Sequence, residues 1–396
     1  MAPKSPGAES TPVLVSRRGA QRLKDGHVWV YRSDIVSSNG ISPGSLVGVA
    51  DERGKFLGTA FYSSASQIAI RLLSRQPVED LDNLLRHRMQ DAIAYRELVV
   101  RDTDAYRLVF SEADFLPGLI VDRYNDLLSL QVLTQAMDVQ PVRATIISEL
   151  NSLKPAGIVE RVDPKIRELE QLLPRSSGLL QGEKRSTIFS MNGVKFHFDA
   201  LEGQKTGAFL DQRENYAAAA QYAHGEALDV FCYQGGFALH LAQGCSKVTG
   251  VDSSRPALEV ADRNAALNGR EIEWIEANAF DLLRDYAAAG QQYDAIVLDP
   301  PAFAKSKKNL DTALRGYKEL NLRALKMLRP GGILVTCSCS YHVSQADFLA
   351  VIAEASRDVH RNLRLLENRT QAKDHPILLN VPETAYLKCL IVLVSS

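Results

Sequence analysis

Two cysteines, Cys337 and Cys339, lie two residues apart in the stretch TCSCS. An apolar run, ILV, precedes them after a glycine-bearing turn, so the stretch is predicted to end a buried strand. A cysteine there either packs as a small apolar side chain or, as a thiolate, attacks an electrophilic carbon. Taken alone, the stretch favours packing for both residues. Whether one of them is a nucleophile therefore depends on the residues at the ends of the neighbouring strands.

Acidic residues and glycines mark the ends of the first two strands predicted upstream. The first strand ends in DVFCYQGGFAL, with Asp229 on the strand and Gly235 and Gly236 opening a helix. Glycines there let a ligand approach the backbone, and the helix start offers free N–H groups. The second strand ends in GVDSS, where Asp252 is placed to accept hydrogen bonds from two ribose hydroxyls.

The third and fourth strands also end in polar residues. The third ends in EANAF, where Asn278 and Ala279 are predicted to meet an adenine edge. The fourth ends in LDPPAF, in which two prolines fix the backbone after Asp299 and remove two N–H donors. In parallel sheets of this kind, ligands bind outside the carboxyl ends of the strands. Each feature alone is more often a cap or a turn, but four on successive strands predict one ligand site.

The four strand ends resemble the S-adenosylmethionine site of class I methyltransferases. The glycine spacing departs from G-x-G-x-x-G, which disfavours a dinucleotide. The expected cofactor is therefore S-adenosyl-L-methionine. Its candidate contacts, including two residues of the polar loop GQKTG, are Asp229, Phe231, Cys232, Gly235, Gly236, Asp252, Ser253, Asn278, Ala279, Asp299, Pro300, Lys205 and Thr206.

The pattern of strands and helices predicts an α/β fold in three parts after a disordered tail at residues 1–12. Residues 13–75 contain short strands and turns without a long helical period, which fits a small β-barrel. Residues 76–185 form an α+β module with a hairpin turn at Asn125-Asp126. Residues 186–396 begin with a hairpin at Asn192-Gly193 and continue as a strand–helix alternation, which predicts a Rossmann-like, doubly wound and mostly parallel sheet.

Composition places few limits on the partner. The chain has 396 residues, a net charge of −1 and a pI near 6.7, so nucleic-acid binding would need a local basic patch. Five cysteines without regular spacing fit a reducing compartment. No apolar run approaches the roughly 20 residues that span a bilayer, so we expect a cytoplasmic protein without a membrane partner.

The resemblance extends to one family. GHVWVYRSDI is similar to the start of the PUA domain in a bacterial and archaeal family of rRNA methyltransferases, and SEADFLPGLIVDRY is similar to its central-domain signature. GQKTGAFLDQR, DVFCYQGGFAL, VDSS, DPPAF and TCSCS match its catalytic domain in order. The resemblance implies a PUA-like RNA-binding domain, a central domain and a methyltransferase domain. It also implies cytosine-5 methylation of large-subunit (23S-type) rRNA.

The resemblance assigns Cys339 as the nucleophile. Carbon 5 of cytosine becomes nucleophilic enough to take a methyl group only after a thiolate has added to carbon 6. Asp299 is expected to engage the ring nitrogens and stabilise that adduct. Another RNA cytosine-5 methyltransferase family has a second cysteine after the proline of the fourth strand; here that position is Ala302. With the cofactor motifs in place, Cys337 is predicted to pack and Cys339 to attack.

The expected RNA contacts lie in three places. A basic start interleaved with Trp29 and Tyr31 is predicted to bind phosphates, and the loop GQKTGAFLDQR is expected to close over cofactor and base. Arg213 either holds a phosphate or caps a helix. The candidate RNA contacts are Arg17, Arg18, Arg22, Lys24, Arg32, Pro301, Gln204 and Arg213.

Other functions stay open at this stage. A guanine-specific rRNA methyltransferase shares the QKTG and DPP motifs but needs no thiol. A non-catalytic ribosome-assembly factor would retain the fold alone, and an NAD-dependent enzyme is disfavoured by the glycine spacing. The sequence does not identify the target nucleotide, the base that removes the carbon 5 proton, or whether free rRNA or an assembled particle is the substrate. It also leaves open the oligomeric state, for which a homodimer is one possibility.

Overall fold

The computed structural model describes residues 12–201, 208–304 and 306–395. Within these ranges, no helix is both long and apolar enough to cross a membrane. Three sheets and one separate hairpin follow one another along the chain. This order agrees with the predicted fold class of barrel-like, α+β and doubly wound parts.

The N-terminal part is a barrel-like sheet with one short helix. Its strand order is β2-β6-β5-β4-β1-β3, and only the β1–β4 pair among these neighbours is parallel. The elements are β1 (Val13–Val15), α1 (Arg17–Lys24), β2 (Trp29–Tyr31), β3 (Ile35–Ser37), β4 (Leu46–Asp51), β5 (Phe56–Tyr62) and β6 (Ile68–Ser74).

Helix α1 corrects the expectation that this part has only strands and turns. The Ser16 hydroxyl caps the helix by accepting a hydrogen bond from the N–H of Gly19 at 3.2 Å. Gly19, Ala20 and Leu23 are the buried residues of the helix. With so few buried positions among charged ones, the apolar period is too short to stand out in the sequence.

The central part is a five-stranded sheet with helices. Its order is β11-β10-β9-β8-β7, and β9 pairs with β10 in parallel. Tyr124 pairs with Leu127, so the predicted hairpin turn at Asn125-Asp126 is confirmed. The elements are α2 (Leu81–Val99), β7 (Ala105–Phe110), β8 (Leu119–Tyr124), β9 (Leu127–Val132), α3 (Gln135–Asp138), α4 (Gln140–Ser152), β10 (Gly157–Glu160), α5 (Pro164–Leu169) and β11 (Gly178–Gly182).

A two-stranded hairpin precedes the C-terminal sheet. Its strands are β12 (Ser186–Met191) and β13 (Val194–Asp199). Asn192 and Gly193 have φ angles of 51° and 80°, the left-handed conformation that a tight hairpin turn requires. The predicted turn at these two residues is therefore confirmed.

The C-terminal part is a seven-stranded sheet of order β16-β15-β14-β17-β18-β20-β19. Strands β14 to β18 are parallel, and β20 is antiparallel to both its neighbours. The elements are α6 (Arg213–Tyr222), β14 (Glu226–Val230), α7 (Gly236–Leu241), β15 (Lys247–Asp252), α8 (Arg255–Leu267), β16 (Glu273–Glu276), α9 (Ala279–Ala288), β17 (Tyr293–Leu298), α10 (Leu310–Met327), β18 (Leu328–Ser338), α11 (Gln345–Asp358), β19 (Asn362–Arg369) and β20 (Lys388–Ser395).

The strand order reverses at β14, which lies between β15 on one side and β17 on the other. The chain passes from β14 to β15 on one side and returns from β16 to β17 on the other, so a crevice opens at the carboxyl end of β14. The apolar strand patterns, including YLKCLIVLV for β20, predict every strand of this sheet except the edge strand β19. The crevice is therefore where the predicted strand-end residues should meet.

Candidate active site

Asp229 lies at the carboxyl end of β14 and is fully buried. Its Oδ2 accepts a hydrogen bond from the N–H of Ala238 at 2.8 Å, while its buried Oδ1 has no partner among the described residues. Burial, with a smaller contribution from the charges of Asp299 and Asp252, raises the pKa of Asp229 to about 8. An unpaired buried carboxylate oxygen is unfavourable unless a ligand donates to it, so this atom fits an amino group.

The turn after Asp229 has an unusual backbone. Phe231, Tyr233 and Gly235 all have φ angles in the left-handed region, at 68°, 50° and 85°. Non-glycine residues in this conformation are strained and occur often at ligand sites. At Gly236, a Cβ atom would lie 2.5 Å from the Tyr216 ring, so this glycine is required by packing. Cys232 is buried in the same turn, and burial raises its pKa well above the usual range.

Asp252 connects the second strand end to this turn. Its Oδ2 accepts from the N–H of Tyr233, and its Oδ1 accepts from the N–H of Ser254, both at 2.9 Å. Each carboxylate oxygen keeps a further lone pair. The half-buried side chain of Asp252 therefore fixes the turn and keeps lone pairs for ribose hydroxyls, a contact that stays a prediction. Ser253 beside it is exposed.

At the third strand end the structure changes the expected roles. The Asn278 Oδ1 caps α9 by accepting from the N–H groups of Phe280 and Asp281 at 3.0 and 3.3 Å. Ala279 is buried among core residues. The side-chain oxygen of Asn278 is therefore occupied, and a ligand would meet the main chain or the amide nitrogen.

The turn at the first strand end borders a narrow cavity, and six of its twelve lining residues are aromatic. Its lining includes Phe196, Phe209, Tyr216, Phe231, Tyr233 and Asp299. Asp229 and Asp252 are not among its lining residues, but they lie on β14 and β15 beside the same turn. Their carboxyl oxygens and the apolar walls suit a cofactor with an amino group, a ribose and an aromatic base. The residues present therefore fit S-adenosylmethionine.

Asp299 follows β17 on the other side of the crevice. Its Oδ2 accepts a hydrogen bond from the Nε2 of Gln212 at 3.0 Å. Burial is the main cause that raises its pKa to about 7; the charge of Asp211 adds to this effect, and the Gln212 hydrogen bond opposes it. At neutral pH a large fraction of Asp299 is protonated. Pro300 is buried and Pro301 is exposed.

Cys339 follows β18, the next strand after β17 in the sheet. Its half-buried Sγ lies 4.0 Å from the carbonyl oxygen of Pro300, so thiol and carboxyl group share one edge of the sheet. Cys337 is fully buried opposite Cys389 on β20, and burial raises its pKa well above the usual range. Cys337 therefore packs, as predicted, and the nucleophilic role of Cys339 stays a prediction.

The turn after Cys339 is held by residues that the sequence analysis did not single out. The Lys388 Nζ donates to the carbonyl oxygens of Ser340 and Val343 at 2.8 and 2.9 Å. The Tyr317 hydroxyl lies 2.9 Å from the hydroxyl of Ser340. A lysine in an apolar strand was the available signal, because such a residue needs buried acceptors.

Comparison with known proteins identifies the family. Residues 13–75 match the family model of a PUA-like domain, and residues 165–392 match that of an S-adenosylmethionine-dependent methyltransferase. "Ribosomal RNA large subunit methyltransferase I" of Tolumonas auensis is 40% identical over 396 residues, covering 97% of this chain and 99% of that protein. The Escherichia coli O139:H28 protein of the same name is 37% identical over 388 residues, covering 95% and 97%.

The chain belongs to the ribosomal RNA large subunit methyltransferase I family. This finding confirms the predicted family of PUA-domain methyltransferases that use S-adenosylmethionine. Among solved structures, the methyltransferase SMU.776 complexed with SAH has a TM-score of 0.83 at 20% identity, covering 97% of this chain and 100% of that chain. An S-adenosylmethionine-dependent methyltransferase from Streptococcus mutans has a TM-score of 0.82 at 19% identity, with the same coverage. At these identities the likeness supports the fold alone.

In this methyltransferase the predicted phosphate contact of Arg213 is wrong, and Arg32 has partners within its own domain. Arg213 is 1% exposed and donates to the Asp374 Oδ1 at 2.9 Å, so it is buried in an ion pair and cannot reach a phosphate. Arg32 donates to the carbonyl oxygens of Ser63 and Ser66 at 2.6 and 3.0 Å, which fixes a turn of the PUA-like domain. The predicted loop residues Gln204, Lys205 and Thr206 lie outside the described residues.

The remaining basic residues that were predicted to contact RNA all lie on one helix of this methyltransferase, α1. Arg18 pairs with Asp34 at 2.7 Å, and Lys24 lies 3.8 Å from Asp51. Arg22 stacks on the Tyr31 ring at 4.5 Å, and Arg17 is exposed. Despite the near-zero net charge of the chain, helix α1 therefore presents a local basic surface.

Proposed function

We propose that this methyltransferase forms 5-methylcytosine in large-subunit rRNA through a covalent adduct between Cys339 and the target base. The observation that carries the proposal is the pairing of a half-buried thiol with a partly protonated carboxyl group at adjacent strand ends. The Cys339 Sγ lies 4.0 Å from the carbonyl oxygen of Pro300, and Asp299 precedes that proline. The names of the relatives supply the RNA class, since they act on large-subunit ribosomal RNA.

The residues at the ends of β14 and β15 would hold the cofactor. Asp229 would accept from its amino group, Asp252 from its ribose, and the aromatic walls would enclose its apolar surfaces. When bound, the cofactor supplies an electrophilic methyl group on a positively charged sulfur.

The chain's own chemistry starts at Cys339. Its thiolate adds to carbon 6 of cytosine, and the electron pair of the carbon 5–carbon 6 double bond moves toward N3, which makes carbon 5 nucleophilic. After methylation at carbon 5, the proton on that carbon passes to water. The carbon 6–sulfur bond then breaks, which restores the double bond and regenerates the Cys339 thiolate.

Asp299 would stabilise the adduct from the opposite edge of the base. Its pKa of about 7 means that a large fraction of the carboxyl groups carries a proton at neutral pH. A protonated carboxyl group donates a hydrogen bond to the unprotonated N3 of cytosine, where negative charge develops when the thiolate adds. The arrangement thus provides a nucleophile and an acid for the same ring.

Substitution of Cys339 tests the proposal. Cys339→Ser should lower the rate of methyl transfer to unmodified rRNA by at least about a thousandfold, because an un-ionised hydroxyl adds poorly to carbon 6. Its affinity for S-adenosylhomocysteine, measured by calorimetry, should be unchanged. On RNA that contains 5-fluorocytosine, the unsubstituted enzyme should form an adduct that persists in a denaturing gel, and the variant should form none.

Cys245 offers a matched control. It is half-buried and unpaired by disulfide, and it lies outside the strand-end cluster, before β15. Cys245→Ser should retain both methyl transfer and adduct formation. Full activity of Cys339→Ser, or a labelled guanine as the product, would overturn the covalent mechanism and favour the guanine-specific alternative.

A further inference from the structure

A chain of hydrogen bonds leads from the sheet edge to Asp299. The Nε of Arg369 donates to the Oδ1 of Asn215 at 2.8 Å. The Nδ2 of Asn215 donates to the Oε1 of Gln212 at 2.6 Å, and the Nε2 of Gln212 donates to the Oδ2 of Asp299 at 3.0 Å. Gln212 and Asn215 are 2% and 1% exposed, so water has little access to either amide.

Arg369 fixes the donor-to-acceptor direction of this chain of hydrogen bonds. An arginine side chain can only donate, so the atom of Asn215 that faces Arg369 must be the oxygen. The amide nitrogen of Asn215 then faces Gln212, and it also donates to the carbonyl oxygen of Thr370 at 3.1 Å. Each amide therefore has one orientation, and the group that Gln212 turns toward Asp299 is an N–H donor.

A donor at this position determines where Asp299 can hold a proton. The Oδ2 of Asp299 accepts from Gln212, and in a neutral carboxylic acid the carbonyl oxygen accepts a hydrogen bond better than the hydroxyl oxygen does. The proton of the neutral acid is therefore favoured on Oδ1, the other oxygen. A neutral Asp299 presents an O–H donor, rather than a bare acceptor, to a base in the crevice.

We propose that Gln212 is a positioning residue that keeps the Asp299 proton on Oδ1 and thereby makes the site select cytosine over uracil. The inference rests on the proposed function, because it assumes that Asp299 meets the N3 edge of a pyrimidine. Cytosine has an unprotonated N3 that accepts from Oδ1–H, whereas uracil has an N3–H that would oppose it. When a hydrogen-bond donor of the site faces a donor of the substrate, neither is paired, and that substrate is strongly rejected.

Two substitutions separate positioning from simple support of the fold. Gln212→Glu replaces the N–H donor with a carboxylate acceptor. The Asp299 proton would then lie on Oδ2, shared with the new carboxylate. Oδ1 would be left as an acceptor without a proton. Gln212→Met keeps the length of the side chain and removes the donor. Gln221→Met is the control, because Gln221 is exposed on α6, the helix that begins directly after Gln212.

The experiment uses the full chain and large-subunit rRNA transcripts carrying either cytosine or uracil at the site that the unsubstituted enzyme methylates. We expect Gln212→Glu to lower the cytosine-to-uracil ratio of kcat/KM at least about a hundredfold. Gln212→Met should move the basic limb of the pH profile for cytosine to higher pH, since the hydrogen bond it removes favours the carboxylate. Binding of S-adenosylhomocysteine should be unchanged in both variants, which verifies the fold.

The outcomes distinguish the two proposals. If the unsubstituted enzyme forms 5-methylcytosine through a Cys339 adduct but neither variant changes the base ratio or the pH limb, the role of Gln212 is refuted alone. If the unsubstituted enzyme forms no adduct, the proposed function fails, whatever Gln212 does. A lower ratio in Gln212→Glu with an unshifted control supports the inference.

Discussion

The two raised carboxyl pKa values have separate consequences at the scale of single residues. Asp229 has a pKa of about 8 and a buried oxygen without a partner among the described residues. To accept from the cofactor's ammonium it must be ionised, so binding below pH 8 releases a proton. The pKa of Asp299, about 7, would instead keep an acid available for the proposed target base.

This linkage predicts how cofactor affinity depends on pH. Below pH 8, the association constant for S-adenosylhomocysteine should rise up to about tenfold per pH unit, and above pH 8 it should level off. Asp229→Asn should bind more weakly and without this dependence. Calorimetry between pH 6 and 9 measures both, with Asp262→Asn, an exposed carboxyl group on α8, as the control. A flat profile in the unsubstituted protein would show that Asp229 does not take up the ammonium.

The sequence predicted those side chains that follow directly from strand periodicity. Asp229, Asp252, Asp299 and Cys339 each end or follow a parallel strand, and the carboxyl ends of such strands share an edge. Gln212 was not predicted, because its partner Asp299 is 87 residues away and nothing local marks the pair. Arg213 was misassigned for the same reason: its carboxylate, Asp374, lies far along the chain.

At the scale of elements, the missed features are those with little apolar pattern. Helix α1 has only Gly19, Ala20 and Leu23 buried, and the edge strand β19 is mostly exposed or half-exposed. Such elements take their conformation from neighbours, here β2 and β20, more than from their own periodicity. The central strands are apolar enough to be predicted from sequence alone.

Strand β20 and the turn after β18 act together on the nucleophile. Lys388 lies opposite Ser338 in the strand pairing, and its ammonium reaches past Cys339 to two turn carbonyls. Burial lowers its pKa to about 8, an effect that the Cys339 charge opposes, so it remains largely protonated at pH 7. The lysine therefore fixes the turn and places positive charge near the thiolate.

We accordingly expect Lys388→Met to lower the single-turnover rate of methyl transfer by about a hundredfold, since a misplaced nucleophile loses most of its advantage. Affinity for S-adenosylhomocysteine should be retained, because Lys388 is absent from the aromatic cavity. Lys326→Met, at an exposed position on α10, is the control. An unchanged rate in Lys388→Met would show that the turn holds Cys339 without the ammonium.

At the scale of the whole molecule, the PUA-like domain and the catalytic turn face one another. The segment before β20 contacts the PUA-like domain: His27 Nε2 lies 3.1 Å from the Glu383 Oε2, and the Asn380 amide donates to the carbonyl oxygen of Gly26. Partial burial and then the charges of Glu383 and Tyr31 raise the pKa of Tyr341, two residues after Cys339. We therefore expect rRNA to pass from Arg22 and Tyr31 toward Cys339, the proposed nucleophile.

The ring of Tyr341, which is 46% exposed, is an aromatic surface two residues after Cys339. A stacked base is worth about 1–3 kcal/mol, so Tyr341→Ala should raise KM for rRNA about tenfold, while Tyr341→Phe should retain it. Arg22→Gln should lower the slope of log affinity against log salt by about one, because one phosphate contact is lost. Filter binding and initial rates measure these effects, with the exposed Phe115→Ala as control. If Tyr341→Ala lowers kcat and leaves KM unchanged, the ring positions Cys339 and the RNA takes another route.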